Sequence, residues 1–150
     1  HRRRHSFPTR RSSDLDDIRN VFDVGARALA AQMVRMNTVA SNLANAGTVA
    51  STPEDAFRAL RPVFETEYAK AETGLSTTTV AEVVMLDREP ERLYRPDHPA
   101  ADKDGFVYAA AVNTEEEMVE MVEASRQYQN TLETLSTLRT LMARTVQMGS

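Results

Sequence analysis

Three histidines, at positions 1, 5 and 98, are the side chains of this sequence that would hold a metal or move a proton near neutral pH. His98 stands between Asp97 and Pro99, with no second histidine or carboxylate at metal-ligand spacing, so it reads as an exposed turn residue rather than a ligand or general base. Ser41 and Ser125 sit inside helical patterns without a nucleophile elbow or a paired histidine. The five glycines never form a phosphate-cradling loop. Glu115, Glu116, Glu117, Glu120 and Glu123 lack the turning glycine of a calcium loop and read as a capped, solvated helix face. Seven methionines fall mostly at packing positions, and there is no cysteine to supply a thiolate or a disulfide. These residues point away from an enzyme, and no cofactor, metal or small-molecule substrate is expected.

Asn37, Asn42 and Asn45 carry a different signal, because asparagine is a poor helix former and three near one helix end lower helix propensity. Polar groups inside a helical bundle fix register through interhelical hydrogen bonds, a role suited to an assembly subunit. Local capping of a frayed helix end is the plainer alternative.

The elements that must position these residues are two helices. Asn20 is placed to cap the first, Gly47 to end it, and Phe22, Leu29, Met36 and Leu43 recur at intervals of seven along it. Ala26, Met33, Val39 and Ala40 flank that stripe, while Arg27, Gln32, Arg35, Asn37 and Asn42 are placed to face elsewhere. Thr114, followed by three glutamates, forms a capping-box pattern that opens the second helix. Met121, Tyr128, Leu135 and Met142 form its main row, and Met118, Ser125, Leu132 and Val146 a companion row. Leu138 and Leu141 fall off the main row, which suggests a second apolar face meeting another subunit.

Between the helices, residues 48–113 hold five of the six prolines, which exclude long helices there. Residues 61–68, 77–86 and 106–109 carry β-branched and aromatic side chains and are expected to pair as a small sheet. Residues 94–99 must be extended or turned, because each proline biases its predecessor away from helix. The expected fold is therefore mainly α: two long terminal helices forming an antiparallel coiled coil, with a small β-rich or irregular middle insert.

Composition agrees with a thin core, since apolar residues make up 41% of the chain, aromatics 6%, and tryptophan is missing. The net charge of −4 hides five arginines and one acid within residues 1–15, without which the balance falls to −8. An acidic body is unsuited to gripping phosphates, so no nucleic-acid partner is expected. No stretch reaches the roughly 18 apolar residues of a membrane span, and the start lacks the apolar centre of a cleavable signal peptide. Residues 1–15 have no apolar period and read as a translated adaptor foreign to the fold. The chain divides into a non-native or disordered leader at 1–19, helices at 20–47 and 114–150, and the insert at 48–113.

The sequence resembles the axial proteins of the bacterial flagellum, the basal-body rod proteins among them. The resemblance runs from about Val21 to Ser150 and rests on Ala28-Leu29-Ala30-Ala31-Gln32, Arg35-Met36-Asn37 and Ala40-Ser41-Asn42-Leu43-Ala44-Asn45-Ala46 at one end. Glu117-Met118-Val119 and Ala124-Ser125-Arg126-Gln127-Tyr128-Gln129 carry it at the other. Residues 94–108 are similar to the short middle region of a proximal rod protein. Thr48-Val49-Ala50-Ser51-Thr52-Pro53 departs from the family in lacking its Gly-aromatic pair. The resemblance implies a non-enzymatic structural subunit of the proximal rod. Such a subunit is exported unfolded through the flagellar type III apparatus without a cleaved signal, polymerised in the periplasm with copies of itself and other rod subunits, and transmits torque for motility. It further implies that Leu29, Met36, Asn37, Asn42, Leu43, Asn45, Met118, Met121, Ser125, Tyr128, Leu132, Leu135 and Met142 form the assembly interface. A helical-hairpin adaptor or regulatory module is the alternative from another class.

Overall fold

The computed structural model of the chain describes the backbone of residues 10–69 and 75–149, and their side chains except those of 10–14, 67–69, 75 and 77. His1, His5 and Gly74 lie outside the described residues. Helix α1 spans Arg10–Asn45 and helix α2 Thr114–Met148. At 1.5 Å per residue they are each on the order of 50 Å long. Among the described residues between them lie five strands: β1 Val49–Ala50, β2 Leu60–Ala69, β3 Leu75–Met85, β4 Arg92–Tyr94 and β5 Phe106–Ala109.

Helix α1 starts ten residues before the expected Asn20. Nothing in the sequence after Pro8 breaks a helix, and Ile18 and Val21 continue the apolar face until it meets Leu138 and Met142. The expected cap of α2 is also corrected. Asn113 is the N-cap, its side chain accepting from the Glu116 N–H at 3.2 Å, and Thr114 is the first helical residue. A box built on Thr114 would need Glu117 to reach back, and that carboxylate is committed elsewhere.

The helices run antiparallel, since residues 17–22 share a cleft with Leu138 and Met142, Gly25 faces Leu135, Arg35 bonds Glu120, and Asn42 bonds Glu117. The insert forms two sheets rather than one. Strands β2 and β3 make a long antiparallel hairpin, Leu60 opposite Met85 and Ala69 opposite Leu75, with an irregularity between Val63 and Phe64. The second sheet has the order β1-β5-β4, all antiparallel. The bulge-bent hairpin leans on α1, giving that helix two partners instead of one narrow seam. In the smaller sheet Phe106 packs edge-on to Tyr94 with ring centroids 5.2 Å apart, and the Arg92 guanidinium lies 3.7 Å over the Phe106 ring. Gly105 turns the chain there with φ 84°, where a β-carbon would also press on Tyr94 and Pro96.

Among the described residues the buried apolar ones are small: Ala31, Val39, Ala56, Ala59, Val107 and Ala124. The accessible surface, 11475 Å², exceeds by about half the roughly 7,600 Å² expected of a compact protein of this mass. No helix among the described residues is long and apolar enough to cross a membrane.

Candidate functional site

The inward residues of α2 follow a strict alternation of four and three: Glu117, Met121, Ala124, Tyr128, Thr131, Leu135, Leu138 and Met142 are all buried or half-buried. The row Met121, Tyr128, Leu135, Met142 is as expected. Its companion is Glu117, Ala124, Thr131 and Leu138; the first three lie one residue before the expected Met118, Ser125 and Leu132, and the expected Val146 is not in the row. Met118, Leu132 and Val146 are exposed, and Ser125 is half-buried. Bulky apolar side chains drew the expected row outward, whereas close approach of two helices favours the small Ala124 and Thr131. Leu138 therefore belongs to the intrachain seam, and Leu141 stays exposed.

On α1, Ile18, Val21, Gly25, Ala28, Gln32, Arg35, Val39 and Asn42 share the same alternation and are buried or half-buried. Leu29, Met36 and Leu43 flank this row and are half-buried. Gln32, Arg35 and Asn42, expected to face elsewhere, point inward. Their polar ends are tolerated because two of them meet partners; Gln32 Oε1 is buried without one. On the opposite side Ala26, Ala30, Met33, Asn37, Ala40 and Ala44 are all exposed, again at spacings of four and three.

Where the helices meet the insert, three segments converge on two glutamates of α2: α1, β2 and the stretch after β3. The Asn42 amide behaves as a strand would: Nδ2 donates to the Leu60 carbonyl and Oδ1 accepts from the Leu60 N–H, both at 2.9 Å. Nδ2 also donates to Glu117 Oε2 at 3.0 Å. Asn42 and Glu117 are both 0% exposed. The other Glu117 oxygen lies 2.6 Å from Arg61 Nη2, an ion pair without the alignment of a hydrogen bond. Glu116 accepts both arms of Arg88 at 2.9 and 2.8 Å. That bidentate bond, with the guanidinium charge, holds the Glu116 carboxyl below the usual glutamate range and raises Arg88 above its own. One turn on, Arg35 donates from Nε and Nη2 to Glu120 Oε2 at 3.0 and 2.7 Å, with Glu123 3.4 Å away.

The expected solvated glutamate face is thus corrected in part: Glu115 and Glu123 are exposed, whereas Glu117 is buried and Glu116 and Glu120 are half-buried. Consecutive residues 115–117 sweep about 200° around a helix, so one must turn inward, and arginines on α1, β2 and the segment after β3 meet the acids there. Of the three asparagines, Asn42 makes the interhelical bond. Asn45 donates back to the Ser41 carbonyl at 2.8 Å, which is local capping, and Asn37 is exposed. His98 is half-buried, its Nδ1 accepting from the Ala100 N–H at 3.0 Å, a turn bond rather than a catalytic one. Among the described residues no three histidines, aspartates or glutamates gather where a metal ion would sit.

Exposed apolar side chains remain on the outer face of α2. Met118, Val119 and Val122 line a shallow groove with Glu123 and Arg126, and each of the three is more than half exposed. The geometry thus combines an exposed apolar strip on α2 with an ion-paired join between the helices and the insert.

Comparison with known proteins places these features in a family. Residues 22–49 match the family described as flagella basal body rod protein, and residues 103–148 match the C-terminal family of the flagellar basal body rod FlgEFG proteins. The chain is 39% identical over 133 residues to the flagellar basal-body rod protein FlgC of Salmonella typhimurium, covering 87% of this chain and 96% of that one. It is 38% identical over 131 residues to the protein of that name from Escherichia coli O6:H1, covering 87% and 96%. With that of Aquifex aeolicus it shares 36% over 131 residues, covering 86% and 95%. The matches take in both helices and the insert.

Proposed function

The chain belongs to the flagellar basal-body rod protein family and is a structural subunit of that rod, and from this premise we propose that it polymerises through α1 and α2 in the proximal part of the rod. The observation that carries the reading is the pair of unpartnered helix faces. The α1 face is flat and lined by alanines around Met33, whereas the α2 face projects Met118, Val119 and Val122. The two patches differ, so a contact between them is head-to-tail, and head-to-tail contacts that do not close generate helical filaments.

In this reading Met121, Tyr128, Leu135 and Met142 pack on the inward row of α1, flanked by Leu29, Met36 and Leu43, to wind the two helices of one subunit into a coiled coil, with Asn42 fixing register. Asn37, Asn45, Met118, Ser125 and Leu132 face neighbouring copies or other rod subunits, and residues 48–113 form the insert between the rod helices. The protein passes through the flagellar export apparatus, is placed in the periplasmic section of the basal body, and transmits torque without catalysing a reaction. Family membership supports the export route. The test is in situ cross-linking of cysteines placed at Met33 and Val122 in motile cells. Cross-linked ladders of subunits are expected, and monomer alone in purified basal bodies counts against the interface.

A further inference from the structure

We infer that Glu117 is a latch that makes docking of the β2–β3 hairpin conditional on the pairing of α1 with α2. The inference concerns a single chain and stands whether or not the rod assembles as proposed.

Glu117 bridges α1 and β2: Oε2 accepts from Asn42, and Oε1 faces Arg61 at 2.6 Å. Its neighbour Glu116 extends the hold past β3, through Arg88 and, at 3.5 Å, Arg61. The base of the hairpin is closed beside them, where the Leu86 N–H donates to the Ala59 carbonyl at 2.8 Å and the Leu60 N–H to Asn42. Arg35 of α1 is likewise held across an element boundary, by Glu120 and Glu123.

The energetics of such a group are asymmetric. A buried ion pair adds little net stability when complete, but stranding one member is costly, because a desolvated charge then has no counterion. If α2 pairs with α1 while the hairpin is away, Glu117 keeps Asn42 but has no cation. If the hairpin docks while α2 is away, Arg61 has no anion, and one Asn42 N–H loses its acceptor. Both half-docked states are disfavoured, so the two events occur together. An apolar contact of equal area would fade gradually and impose no such condition.

The test is amide hydrogen exchange by NMR on the full chain. In Glu117→Ala, exchange at Leu60 and Leu86 is expected to accelerate on the order of a hundredfold, the loss seen when a buried pair is stranded. Amides of residues 128–142 should stay within about threefold of wild type. Arg61→Ala should reproduce that pattern, and Glu117→Met combined with Arg61→Met, which strands no charge, should restore slow exchange at Leu86. Equal acceleration along the whole of α2, no change in the single variants, or failure of the double variant to recover would each overturn the latch. So would a wild-type chain whose Leu60 amide exchanges as freely as an unfolded peptide.

Discussion

Gly25 of α1 faces Leu135 of α2 so closely that a β-carbon there would sit 2.5 Å from Leu135 Cδ2 and 2.8 Å from Cδ1. The leucine enters a notch that exists because residue 25 has no side chain. Glycine inside a helix costs about 1 kcal/mol relative to alanine, and the seam repays it by letting the helices approach.

Gly25→Ala sets that propensity gain against the displacement of Leu135, while Gly25→Val adds two more carbons that the notch cannot hold. Gly25→Val is expected to lower the denaturation midpoint, at a cost of about 1–3 kcal/mol for overpacking. Combining it with Leu135→Ala should recover part of that loss. Chemical denaturation of the three variants checks the coupling, and strictly additive effects would place Gly25 outside the seam.

Leu135→Asp buries a lone carboxylate between the helices, which costs several kcal/mol in an apolar setting. Cells carrying it should not swim and should lack rods in purified basal bodies. Normal swimming halos in soft agar would contradict the seam.

Met118→Asp with Val122→Asp changes only exposed positions and should leave the helical circular dichroism and melting of the subunit within about 0.5 kcal/mol of wild type. Motility should nevertheless be lost, because the outer face of α2 is charged. Swimming at wild-type speed would show that this face has no neighbour.

The pair between Arg88 and Glu116 gives stability a defined acid limb. The carboxyl is lowered from its ordinary 4.5 by its hydrogen bonds to Arg88. A group depressed in the folded state contributes fully above its unfolded value and loses that contribution as pH falls through the folded one. Arg88→Met should therefore destabilise the chain at neutral pH and make less difference in acid below that range. Both side chains are about two-fifths exposed, so the effect is small and shrinks further with salt. Melting curves across pH for the two proteins measure it.

The two helices and the insert were legible because their signals are local: sevenfold repeats of large apolar residues, a cluster of prolines, and acids in the first turn of α2. The main row of α2 from Met121 to Met142 was legible for the same reason. The companion row was not, since the seam selects Gly25, Ala124 and Thr131 for their smallness, and small residues leave little trace in hydropathy. Nor was the cluster around Glu117. Its carboxylate lies in the inward heptad frame, which is a usable signal once the frame is known, but its partner Arg61 is 56 residues away on a strand. The start of α1 was missed because an arginine-rich segment without periodicity gives no reason to pack, although nothing in it forbids a helix after Pro8.

The pairing of the Asn42 amide with Leu60 also has a protective consequence. A strand rim with free peptide groups invites another copy of the same chain to add itself there, a hazard that grows where like subunits are crowded together. Here one asparagine occupies both groups of Leu60, so the start of β2 offers no free template to an incoming strand.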